Sequence, residues 1–125
     1  MTPRQFFAVS AVMEVGAGLI LLIAPALAIA LVLGSSGAET VPIGRLAGAA
    51  LLSLGSACWW ARHDDYSAAS RALLIGMLVY NAAVVGLVVS GSFGRLVPLL
   101  WALALLHGSM AMWGGLVVTS RRLGV

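Results

Sequence analysis

The chain contains no lysine, and its 125 residues carry only seven basic and four acidic side chains. Charged residues make up 9% of the total, against roughly 25% in a soluble domain, so the polar surface of a water-soluble fold cannot be built. Cysteine occurs once, at position 58, which excludes an intrachain disulfide. No CxxC or Cys/His spacing proposes a metal site, and no cofactor is expected. Cys58 reads as a small apolar helix residue. No run of basic side chains offers a nucleic-acid surface; the pI near 10.0 rests on seven arginines against four acids. Arginine without lysine, among many alanines and glycines, suggests a GC-rich bacterial genome.

What is abundant is hydrocarbon. Hydrophobic residues form 62% of the chain and mean hydropathy is +1.08, a composition that fits an integral membrane protein. About twenty apolar residues cross the roughly 30 Å hydrocarbon layer as a helix. Four segments qualify: 6 to about 33, long enough to tilt or to kink at Pro25, then about 43–61, 69–90 and 96–119. The connections are short: from Gly34-Ser35-Ser36-Gly37 to Pro42, from Arg62 to Ser67, and from Gly91 to Arg95. Their turn residues suit them. The expected fold is an all-α, antiparallel four-transmembrane-helix bundle in a single membrane domain, with no soluble domain left over. Arg4 followed by an apolar run, and Ala26-Leu27-Ala28, could suggest a cleaved signal. Glu14 and the length of the run argue for a retained span.

Orientation follows the arginines. With the N-terminus inside, Arg4, Arg62, Arg71, Arg121 and Arg122 fall on the inner side, and Arg45 and Arg95 on the outer. Five against two places both termini in the cytoplasm of a bacterial inner membrane. Phe6, Phe7, Trp59, Trp60 and Trp113 then lie near the inner interface, with Phe93 and Trp101 towards the outer one.

Helices in lipid associate by close packing at small residues. Candidates are Gly16, Ala17 and Gly18 in the first span and Gly44, Gly48 and Gly55 in the second. Ala82 and Gly86 in the third span, and Ala104, Gly108, Ala111 and Gly115 in the fourth, extend the set. These patterns predict tight helix contacts and permit a homodimer.

Chemistry concentrates in a few polar residues. Glu14 is the only charge between Phe6 and Leu33, and an ionisable group within a membrane span is costly and a functional candidate by default. Counting about 1.5 Å per residue brings Asn81 and His107 to within a few turns of its depth. Asn81 suits interhelical hydrogen bonding, and Tyr80 packing with a satisfied hydroxyl. His107 suits an interhelical donor, a proton relay or a ligand contact. Ser10, Ser53, Ser56 and Ser109 are candidates to extend a polar interior. Arg45 opens the second span beside Gly44, as Arg95 does the fourth beside Gly94. It is read as a phosphate contact or as an anion site facing the bundle, with depth separating it from Glu14. Asp64-Asp65 reads as solvated loop acids beside Arg62 and Arg71, or as a divalent-ion contact at the membrane edge.

The string Ala11-Val12-Met13-Glu14-Val15 resembles the first helix of the small multidrug resistance transporters over a short stretch. There a membrane-embedded glutamate binds protons and cationic drugs in a dimer. The resemblance implies such a role for Glu14. The loop Arg62-His63-Asp64-Asp65 and the mid-span His107 depart from that family's pattern.

Three functions are compatible with these residues. The first is a small transporter or small-molecule-binding protein with Glu14 as proton or cation site. The second is an assembly subunit whose polar groups only set helix register. The third is a membrane enzyme using Glu14 and His107 as acid and base on a lipophilic substrate. The expected partners are the lipid bilayer, a second copy of the chain and a small-molecule ligand, with no nucleic acid.

Overall fold

The computed structural model describes residues 2–91 and 97–122, and every regular element among them is helical. The elements are α1 (Pro3–Ile23), α2 (Pro25–Leu33), α3 (Thr40–Ala61), α4 (Ala68–Gly91) and α5 (Pro98–Arg122). Four of them, α1, α3, α4 and α5, are long and apolar enough to cross a membrane. The Gly94-Arg95-Leu96 triplet and Phe93 lie outside the described residues.

Local chemistry explains the boundaries. Thr2 and Gln5 form a reciprocal capping box, with Pro3 in the first turn where its missing N–H costs nothing. The expected long first span is two helices. Ala24 leaves the helical region at φ −133°, ψ 56°, because a following proline disfavours α geometry and Pro25 cannot donate a helical hydrogen bond. Gly34 closes α2 in the left-handed conformation (φ 84°) and its N–H reaches the Ala30 carbonyl at 2.8 Å. Pro42 lies in the first turn of α3, and not in the connection before it, since orphan N–H groups there tolerate proline.

Asp64 is a capping residue. It accepts from the Ser67 N–H (2.7 Å), the Ser67 hydroxyl (2.9 Å) and the Ser70 hydroxyl (3.0 Å) at the start of α4. The Ser67 backbone and hydroxyl hold its carboxyl below the usual aspartate range. Its partners are therefore Ser67, Ser70 and the Tyr66 backbone. Arg62 stacks over the Trp59 ring, 3.3 Å from its centre, and Arg71 stands 5.9 Å from that of Tyr66.

The helices pack as two pairs, α1 with α3 and α4 with α5. Glycine decides the first pair. A Cβ at Gly18 or at Gly48 would lie 2.8 Å from the other's carbonyl oxygen, and one at Gly55 would lie 3.0 Å from the Val15 nitrogen. Gly44 lets Pro25 approach, with a built Cβ 3.0 Å from the proline ring, which seats α2 on α3. Other expected contacts are missing. Among the described residues Gly16, Gly86 and Gly115 have nothing within 4 Å of a built Cβ, Gly108 has only Val85 at 3.9 Å, and Ala17 and Ala82 are exposed. A small residue creates room for a neighbour without supplying one.

The two pairs join at the end carrying the start of α1. There Phe6, Phe7, Cys58, Leu74, Met77 and Val117 are buried together, and Phe6 meets Phe7 and Trp113 edge-on at 5.9 and 5.7 Å. Cys58 is part of this apolar core. Towards the other end Val88, Leu100 and Ala104 form a smaller core between α4 and α5. The space between the pairs there is left to a cleft.

Candidate functional site

The cleft has a volume of about 630 Å³ and is half-open. All five helices contribute to its wall: Met13, Ala17 and Leu21 from α1, Ala28, Ile29 and Val32 from α2, Leu51 from α3, Val84 from α4, and Leu99 and Leu103 from α5. The break at Pro25 is what turns α2 into part of this wall. Against the aliphatic lining stand Glu14, Tyr80 and His107, the only polar side chains of the lining among the described residues.

These groups form one chain of contacts across α1, α4 and α5. The Tyr80 hydroxyl donates to Glu14 Oε2 over 3.4 Å, a long hydrogen bond. The Tyr80 and His107 rings meet edge-on, centres 5.5 Å apart at 85°. His107 Nδ1 lies 2.8 Å from Asn81 Oδ1, and the Asn81 amide nitrogen donates to the Met77 carbonyl at 2.7 Å. Glu14, Asn81 and His107 are 4%, 1% and 7% exposed, so their polar atoms meet one another or the cleft. Helical geometry distributes the work: successive residues diverge by about 100°, which turns Tyr80 towards α1 and Asn81 towards α5.

Four of the five sequence candidates thus come together. Glu14, Tyr80 and His107 line the cleft, and Asn81 stands behind His107. Arg45 does not join them; its side chain is exposed on α3 and outside the cleft lining. Ser53, Ser56 and Ser109 are exposed and bond back to the carbonyls of Ala49, Leu52 and Leu106 on their own helices, so they extend no polar interior. Ser10 is buried in the core, its hydroxyl without a hydrogen-bond partner among the described residues. The wall supplied by α2 was missed by sequence reasoning, and its only signal was Pro25.

Among the described residues no group of three or more His, Cys, Asp or Glu side chains is placed to hold a metal ion. Chemically, the arrangement offers a carboxyl, a phenol and an imidazole at one side of an apolar chamber. Such a site can hold the polar end of a molecule whose body is hydrocarbon. No protein-family model, curated protein or solved structure matches the chain.

Proposed function

We propose that this is an integral membrane protein that binds a lipophilic small molecule in the cleft, with Glu14 as a polar contact and as a proton site. One observation carries most of the support: a cavity of about 630 Å³ whose lining, among the described residues, is aliphatic except for Glu14, Tyr80 and His107. The volume falls within the roughly 300–1,000 Å³ of small-molecule pockets, and a few convergent polar groups in an apolar wall are the usual recognition chemistry. Glu14 is also the only acid within the four candidate spans, which makes it the group able to couple binding to a proton and so to transport.

Photolabelling in native membranes tests this. A diazirine-bearing decanol should leave adducts on cleft residues such as Met13, Leu21, Val84 and Leu103, and Ala17→Trp, which fills the chamber from α1, should reduce those adducts to background. Adducts confined to outward residues such as Val79 and Leu87 would overturn ligand binding and leave the polar residues as packing groups of an assembly subunit.

We infer an antiparallel up-down-up-down path in a bacterial inner membrane with both termini in the cytoplasm, supported by the distribution of arginines. A reporter active only outside the cytoplasm, fused after Val125, should stay silent. An active fusion would reverse the orientation.

A further inference from the structure

The two hydrogen bonds of Asn81 are not independent. A carbonyl oxygen can only accept, so the atom of Asn81 facing the Met77 carbonyl at 2.7 Å is the amide nitrogen, as donor. That orients the amide and leaves Oδ1 facing His107. Oδ1 also only accepts, so the hydrogen in the 2.8 Å contact belongs to His107 Nδ1. A neutral imidazole carries one ring hydrogen, and with Nδ1 holding it, Nε2 is a bare lone pair.

Nε2 has somewhere to point. His107 lines the cleft, and among the described residues the buried side-chain nitrogens and oxygens without a partner are Ser10 Oγ and Trp113 Nε1, so Nε2 is not one of them. The acceptor is therefore reachable from the chamber. Tyr80 reinforces this polarity. Its hydroxyl hydrogen is directed at Glu14 Oε2, so it presents no donor to an incoming group.

We propose that the cleft selects lipophilic molecules that end in a hydroxyl, which donates to His107 Nε2, with Asn81 the positioning residue that sets this polarity. This rests on the reading of the cleft as a ligand site. A ketone, ester or ether end would bring its lone pairs against that of Nε2 with no hydrogen between them, and would have to turn away from His107 to accept from a protonated Glu14. Buried polar groups set against each other in this way discriminate strongly, because neither recovers the hydrogen bond it had elsewhere. An alkylammonium end also donates, but drawing it out of water into this cleft costs far more than drawing in a neutral hydroxyl unless Glu14 is ionised beside it.

The test reads His107 directly. The chain has two histidines, and His63→Gln in the exposed loop leaves His107 as the only one. With isotope-labelled histidine in lipid nanodiscs, a long-range nitrogen–proton correlation should show Nδ1 protonated and Nε2 bare. Adding decanol should move the Nε2 resonance. Its methyl ether, compared at equal mole fraction in the bilayer, should need at least about tenfold more to do so. Asn81→Leu, which removes the acceptor for Nδ1, should let the ring change tautomer and abolish the preference for alcohol. Asn81→Gln, which keeps a neutral amide with both a donor and an acceptor, should restore it at least in part. A merely structural Asn81 would alter stability in both variants and the alcohol preference in neither.

An Nε2–H tautomer with decanol still bound, or an ether that binds as well as the alcohol, would overturn the selectivity while leaving the cleft as a ligand site. No response of Nε2 to either compound would overturn the ligand site itself, and the selectivity with it.

Discussion

Gly48→Leu is expected to separate α1 from α3 and to destabilise the protein by about 2 kcal/mol or more, in the upper part of the range for overpacking. Even the first side-chain carbon would lie 2.8 Å from the Gly18 carbonyl oxygen and 3.1 Å from both Leu21 and Leu22. The nearest obstacle is backbone, which cannot rotate away as a side chain can. In lipid, burying a leucine returns little, because the helix has left a solvent as apolar as its partner. Gly16→Leu is the control: nothing lies within 4 Å of its built Cβ, so stability should stay within about 0.5 kcal/mol of the parent. Unfolding in mild detergent by added dodecyl sulfate, followed by tryptophan fluorescence, measures both. Equal midpoints for Gly48→Leu and the parent would show that α1 and α3 do not meet at Gly18 and Gly48.

Glu14→Leu should weaken binding of the photoactivatable decanol by at least about tenfold, equivalent to about 1.4 kcal/mol. The substitution preserves bulk but removes the carboxyl from the cleft and leaves the Tyr80 hydroxyl without its acceptor. Glu14→Gln separates hydrogen bonding from proton chemistry. The amide still accepts from Tyr80, so it should retain more affinity than leucine, yet it cannot exchange a proton. Proton release or uptake on adding decanol, recorded in a weakly buffered vesicle suspension, should therefore vanish in Glu14→Gln. Among the described residues Tyr80 and His107 are the other titratable groups lining the cleft, and His107→Gln shows whether the signal arises there instead. Unchanged affinity in Glu14→Leu would end the role given to Glu14.

Glu14 was legible in the sequence because a single charge in an apolar run stands out against a strong background. Depth along a span was legible too, since helical rise is constant, and it grouped Glu14 with Asn81 and His107. Facing was harder. Ser53, Ser56 and Ser109 share the polarity of a site residue, yet a serine in a helix can satisfy itself on the carbonyl one turn back, as all three do. The same ambiguity covered the small residues. Gly44-xxx-Gly48 and Ala82-xxx-Gly86 are equivalent as patterns, but the first receives α1 and α2 while Gly86 meets nothing within 4 Å.

What the sequence determined by itself is therefore the element: four helices long and apolar enough to cross a membrane, a polar group midway along them, and a weak point at Pro25. These follow from local properties, namely hydropathy over about twenty residues and the missing N–H of proline. Tertiary structure alone decided that α2 swings against α3 to wall a cleft, that Arg45 stays outside it, and that Asn81 holds His107. Those depend on which helix face meets which neighbour. In lipid that choice is made by close backbone approach and by donor–acceptor geometry between segments far apart in the chain.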